Sequence, residues 1–497
     1  MNPSLAPRDA WTPLPATEWN AAAARHLLRR TGWSARPADV DRAVTEGFAA
    51  TLARLFPEVV PAWSKPRLVS RYESIAPEMQ RNAAKGPTED RLRAQRELQD
   101  RARVGLQELS LRWLEYAARP DTAAIAKWVL FLSDVYVISA EKVRNPAVVH
   151  RHFEILTEHG FGPAPALAKA VSRSPAMVIY LDLAQSQLKA PNENFARELF
   201  ELFVLGEGNY TEADIKEAAR AFTGYRVRPE GGFRFDDRQH DKSVKTVFGA
   251  SGPFSGDDVV DLAFRQPAAA VYLPRELAKT YLCETPLPAD HLAALGDGWR
   301  ADDLDLRALQ RRFFGSRLFF APEYRGNLIK SPLQFLLGLV QDWSLDVAPL
   351  PRLTLTPLRQ MGQIPFQPPN VRGWVGGRQW INSATLAARR QLAEMLFTPL
   401  DENSLNADEL LDLVAARANG PVHFTVPDAA FARFRALAPG DAVAALAADL
   451  LPGPVAPAAV SQLSQYVAAG GADPAQRLRR LRRAAVTLTQ SPACQLC

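Results

Sequence analysis

The sequence predicts an all-α protein: a large multi-helical domain with short β-hairpin and loop insertions. Three observations carry that prediction. Apolar residues recur at helical spacing along nearly the whole chain. Strand-like stretches are confined to "GFRFDD", "KTVFG" and "HFTV". Most of the 39 prolines stand at helix starts or in connections, where a fixed φ and a missing N–H are tolerated.

Taken in order, residues 1–18 read as an N-terminal arm. "ATEWNAAAARHLLRRTG" predicts an alanine-rich helix capped by Thr17 and stopped at Gly32. "RPADVDRAVTEGFAATLARLF" repeats the scheme with Pro37 in the first turn. From Pro87 to Ala118 alternating Arg and Glu surround a leucine stripe, predicting one long helix with a solvated face. "IAKWVLFLSDVYVISA" is the most apolar helix; Lys127 and Asp134 interrupt it, and it is too short to span a bilayer. "PNENFARELFELFVLGEGNYTEADIKEAARAFTGYR" predicts a helix, a stop at Gly206 and Gly208, and a second helix with Thr211 and Asp214 as a capping box. "GFRFDD" and "KTVFG" are expected to pair as a hairpin around His240. Residues 19–399 form the main domain on this reading. A composition shift near "FTPLDENSLNADELL" opens a smaller C-terminal helical subdomain, 400–497, packed on the first.

Composition excludes several classes. Across 497 residues, 59 basic groups face 54 acidic ones, an excess too thin to predict nucleic-acid binding without a clustered patch. "RLRRLRR" at 477–483 is the one dense basic run; it could meet an acidic partner or nucleic acid, but a solvated helix face explains it better. Three cysteines make no disulfide framework, and the terminal Cys494–Cys497 CxxC lacks the two further ligands zinc needs. "FGASGPFSGDD" is a helix cap rather than a phosphate loop, because Asp257 and Asp258 would repel phosphate. No basic start followed by an apolar run opens the chain, so a cytoplasmic protein with no membrane association is expected.

"SPAMVIYLDLAQSQLKAPNENFARELFELFVLGEGNYTEADIKEAARAFTGY", "FRFDDRQHDKSVKTVFG" and "PPNVRGWVGGRQWIN", in that order, resemble the bacterial family called domain of unknown function 1800. Further matches run from "ARHLLRRTGWSARPADVD" to the terminal "LTQSPACQL". The resemblance implies a mainly helical fold without an established activity. It implies relatives that are often exported and encoded beside a sulfatase-like protein of the domain of unknown function 1501 family, a possible partner. Relatives commonly carry an "FWHNHF"-like stretch where this chain has "FLSDVY", so Ser133 and Val135 stand in place of two histidines. Phe203 replaces a third.

Three segments bear the chemistry. On the first helix Asn194, Glu198 and Glu201 share a face, with Arg197 beside it; carboxylates one turn apart suit acid–base work or a hard cation, and equally a solvated face. In the loop "RQHDKSVKTVFG", His240 beside Asp241 suits an oriented base, and Lys245 with Thr246 an anion clamp; no apolar residue is expected to cover them. "PPNVRGWVGGRQWIN" presents Asn370, Arg372, Trp374, Trp380 and Asn382, apt for stacking on sugar faces, or for plugging the core. The leading expectation is an enzyme of hydrolase or lyase type acting on a polar, sugar-like or acidic substrate. Glu198, His240 and Asp241 would be catalytic, with Asn194, Arg197, Glu201, Lys245, Asn370, Arg372, Trp374, Trp380 and Asn382 binding substrate. No cofactor or metal is expected. The alternative is a non-catalytic binding or scaffold protein working with the sulfatase-like partner.

Overall fold

The structure is a computed structural model that describes residues 3–84, 87–228, 230–418, 420–453, 455–471 and 473–497. Among the described residues, twenty-five α-helices accompany two small two-stranded sheets. The protein is all-α with minor β insertions, as the periodicity predicts.

The apolar helix Ala123–Val135 is the hub. It touches Ala21–Thr31, Thr88–Ala118, Pro146–His159 and Ala269–Tyr281. All its residues are buried except Leu130 and Asp134, one turn apart. Around it a single hydrophobic cluster runs from Ala10 to Cys494. Trp11 lies in that cluster and its indole N–H donates to the His291 carbonyl at 2.8 Å, so residue 11 of the arm is held in the body. Arg67–Ala84 and Thr88–Ala118 form a long helical hairpin whose second arm packs on the hub.

Several local expectations are corrected. The first long helix is Ala21–Thr31, capped by Asn20 and not Thr17, because the Asn20 carboxamide accepts from both Ala22 and Ala23 N–H. The expected hairpin is two hairpins. Strand β1 (Tyr225–Val227) pairs with β2 (Phe233–Phe235), and β3 (Lys245–Val247) with β4 (Ala250–Gly252), both antiparallel. Each strand finds its partner across the nearest glycine turn, which is shorter to close than the span around His240. "HFTV" forms no strand. The expected capping box at Thr211–Asp214 is formed, and Ser255 with Asp258 makes another at the helix cap that follows.

The "NENFARELFELFV" helix is not one continuous α-helix. Asn194–Glu198 is α-helical and Leu199–Val204 is a π-helix, a rare form that concentrates at functional sites. The Phe200 carbonyl accepts from both Leu205 and Gly206, and the Tyr272 hydroxyl takes the Leu202 carbonyl. A side chain from a neighbouring helix thus occupies an acceptor that a regular α-turn would use.

Candidate functional site

The loop between Met361 and Ser383 closes over a cavity of about 330 Å³ floored by the hub helix. Lys127, Leu130, Phe131 and Asp134 line it, an i, i+3, i+4, i+7 stripe along one helix face. Glu276, Lys279 and Glu284 form a second wall; Trp374 and Trp380 come from the loop, and Arg30 and Cys497 from below.

Two glycines allow the closure. Gly373 has φ +75°, and a Cβ there would lie 2.0 Å from Asp134 Oδ1; at Gly377, φ +58°, it would lie 2.8 Å from the Glu284 carboxylate. The loop backbone therefore rests directly on two carboxyl groups. Trp374 N–H donates to Asp134 Oδ1 at 2.8 Å, while the Trp374 indole N–H is buried and has no partner among the described residues. A buried donor without a partner costs free energy unless a ligand or water takes it.

Burial pushes the Asp134 carboxyl up to about 7, with Glu276 adding to the rise and Lys279 and the Trp374 N–H opposing it. Lys127 is the counterpart: burial brings its amine down to about 7. Its Nζ donates to Gly32 O at 2.9 Å and Arg29 O at 3.5 Å, carbonyls at a helix C-terminus, and lies over the Trp33 and Tyr281 rings. Arg30, fully buried, donates to the Tyr324 carbonyl and the Asn327 side chain, and faces the Cys497 thiol at 3.9 Å.

The structure brings part of the sequence-derived set to this cavity. Arg372 lines it and reaches outward to Glu201 at 2.8 Å and Glu207 at 2.9 Å, joining the π-helix to the loop. Tyr210 donates to the other Glu201 oxygen. Glu198 sits beside this cluster, half-buried, without a hydrogen bond among the described residues; burial and the Glu201 charge raise its pKa. Arg197 points away, paired with Glu212 at 2.8 Å, and the Asn194 carboxamide donates to the Leu181 carbonyl. Asn370 turns the loop by accepting from Arg372 N–H, and Asn382 caps the Ser383–Phe397 helix.

His240, Asp241 and Lys245 lie elsewhere; Asp241 and Lys245 are buried and His240 is half-buried. The His240 ring packs on Phe235, with Nδ1 at the Thr223 carbonyl. Burial pushes Asp241 up, but hydrogen bonds from Ser243 and Arg220 outweigh it and hold the carboxyl at about 2. Lys245 is fully buried, its ammonium turned inward onto the Asp241 and Ser243 carbonyls. An amine that must satisfy backbone carbonyls in a tight turn has no donor facing outward to clamp an anion.

Sequence reasoning missed Lys127, Asp134, Glu276 and Arg30. The signal was present: two charges seven residues apart on one face of an otherwise apolar helix. Among the described residues, no group of three His, Cys, Asp or Glu side chains is placed to hold a metal ion. No helix of the described residues is long and apolar enough to cross a membrane.

The family model for a protein of unknown function, DUF1800, matches residues 26–496, nearly the whole chain. The chain belongs to the DUF1800 family. No curated protein and no solved structure gives a match. In this DUF1800 chain, the segment Phe131–Val135 runs along the cavity floor and carries Asp134.

Proposed function

We propose that this DUF1800 chain is an enzyme of hydrolase or lyase type, acting on a small polar, acidic or sugar-like molecule held beneath the glycine and tryptophan loop. The observation that carries the reading is Asp134: a carboxyl pushed up to about 7 by burial, lining the cavity beneath the loop. A group with its pKa near the working pH is the most effective proton donor or acceptor. Asp134 is the acid–base residue in this proposal, with Glu276 as the second carboxylate. Arg30 supplies positive charge for an acidic substrate, Lys127 adds to it only in its protonated form, and the free Trp374 indole N–H supplies a donor. The indole faces suit the apolar face of a sugar ring. Glu198 and Glu201 act at the rim through Arg372 rather than on the substrate.

The alternative is a binding protein that retains its ligand without turnover, alone or with a sulfatase-like partner. The double fastening of the loop, Asp134 to Trp374 inside and Arg372 to Glu201 and Glu207 outside, favours retention and is the reason to test for it. The test is Asp134→Asn, which keeps the acceptor for Trp374 N–H and removes the titrating proton. With uronic-acid oligosaccharides and simple sugar acids as probes, the enzyme reading expects product from the wild type. It expects turnover lower by about 10²-fold or more in the variant, with ligand affinity kept. Ligand binding without product in the wild type would sink the enzyme reading and leave the binding protein; no binding in either chain would remove the cavity as a site.

A further inference from the structure

A second cavity, about 1120 Å³, opens between the long helical hairpin and the β1–β2 turn, and the reading above makes no use of it. Its floor is aliphatic: Leu106, Val148, Ile179, Val227, Leu355 and Ile364. Its rim is basic, with Arg103, Arg144, Arg228 and Arg359 against the single carboxylate of Glu141. Arg103 and Arg228 each sit 3.8 Å from one exposed carboxylate, as loose as any ion pair among the described residues and matched by Lys279 with Glu276. Arg144 and Arg359 have no carboxylate partner among them. Four guanidinium groups around one cleft repel each other unless an anion enters.

The rim also repeats. Gln95, Gln99, Arg103 and Gln107 stand at four-residue intervals along the Thr88–Ala118 helix, and Gln80 and Gln367 face them. Four helical residues advance about 6 Å, close to the advance of two residues of an extended chain, about 6.6 Å. Carboxamides both donate and accept, which matches the alternating N–H and C=O of a peptide backbone.

One backbone feature bears on the same cleft. Arg144 has φ +50°, ψ +25°, between the Ala140–Val143 and Pro146–His159 helices, a left-handed position that glycine fills at lower cost. The chain carries an arginine there, with its Nε on the Glu141 carbonyl and the rest of its guanidinium at the cleft.

We propose that this cleft binds an extended peptide in which acidic and aliphatic residues alternate. Successive side chains of such a peptide point to opposite sides, so the aliphatic set reaches the floor while the acidic set meets Arg103, Arg144, Arg228 and Arg359. The glutamine row takes the peptide backbone. A polysaccharide or a single-stranded nucleic acid fits less well, since both bind on exposed aromatic faces, and Tyr72, the only aromatic lining residue among the described residues, is 4% exposed.

The probe is a pool of fluorescein-labelled nine-residue peptides alternating Glu or Asp with Leu, Ile or Val, read by anisotropy on the full chain. Oligogalacturonate and oligo-dT serve as competitors, and a Lys-for-acid pool as control. The acidic pool is expected to bind and the Lys pool not to. Arg144→Gln with Arg359→Gln is expected to weaken binding by about tenfold or more, as two charge-assisted contacts are lost. Arg144→Gly gives an independent readout: it relieves the left-handed backbone, so melting temperature should hold or rise while affinity falls. Absence of binding by the acidic pool, binding unchanged in the double variant, or displacement by oligogalacturonate or oligo-dT at lower concentration than unlabelled peptide would each overturn the proposal. Neither arginine lines the cavity beneath the loop, so this result stands apart from the Asp134 test.

Discussion

Asp134 shows how far one residue can be read from either end. In sequence it is a charge that interrupts an apolar helix; in the fold it is the floor of a cavity, with a glycine backbone pressed against its carboxyl. Its raised pKa makes a stability prediction independent of any substrate. The folded chain binds the Asp134 proton more tightly than the unfolded chain, between about pH 4 and about pH 7. Its favourable contribution is therefore complete below the unfolded pKa and lost as pH rises through 7. Asp134→Asn does not titrate. The variant should match the wild type near pH 4 and gain on it up to pH 7, by on the order of 2–4 kcal/mol, with no further gain above. Lys127 carries the opposite dependence, stability rising with pH above 7, but it is present in both chains and cancels in the difference. Melting temperatures of the two chains from pH 4 to 9 check this. A difference independent of pH would show that Asp134 is ionised throughout.

Among the elements, loop 370–382 and the π-helix act as a clasp. Arg372 is 58% exposed at the side chain and bridges Glu201 and Glu207, so it adds little to global stability. Its effect is local. Arg372→Ala should lower stability by less than about 1 kcal/mol and yet speed amide exchange across residues 371–377. Hydrogen exchange read by mass spectrometry alongside calorimetry separates the two. Unchanged exchange in that segment would mean that the glycines and Asp134 alone hold the loop. The helices themselves were legible in sequence wherever a local rule decides them: the capping box at Thr211, the helix cap ahead of Asp257, proline at first turns, the 88–118 stripe. The π-helix was not, because the Tyr272 hydroxyl that takes the Leu202 carbonyl lies seventy residues away. The hairpin partners were not either, since three-residue strands carry too few side chains to fix a pairing. His240, Asp241 and Lys245 look like a catalytic cluster in a loop. Only the fold shows that His240 Nδ1, the Asp241 carboxylate and the Lys245 ammonium are taken by Thr223, Ser243, Arg220 and backbone carbonyls.

At the scale of the whole molecule, the question is whether residues 400–497 stand as a domain of their own. Trp343 packs against Phe397, Phe431 and Phe434, with ring centroids 5.0, 5.0 and 6.3 Å apart. The arginines of "RLRRLRR" are not a free basic face: Arg480 bonds to the Tyr466 carbonyl, Arg482 to the Phe397 carbonyl and Arg483 to Glu394. The final residues go deeper. Lys330 N–H donates to the Gln495 carbonyl at 2.7 Å, Cys497 N–H to the Leu328 carbonyl at 2.9 Å, and the Arg389 guanidinium to Gln495 Oε1 at 3.1 Å. Arg29, from the first long helix, donates to the Leu451 carbonyl at 2.6 Å. Cys497 ends at the cavity beneath the loop. Removing residues 400–497 would strip partners from the buried Arg29, Arg30, Lys330 and Arg389, and a buried cation without its partners is strongly destabilising. The full chain is therefore expected to melt in one calorimetric transition. The 1–399 fragment should be insoluble, or should lack a cooperative transition altogether. Two resolved transitions in the full chain, or a fragment that melts cooperatively within about 5 °C of it, would show that the C-terminal helices fold apart and that the cavity stands without them.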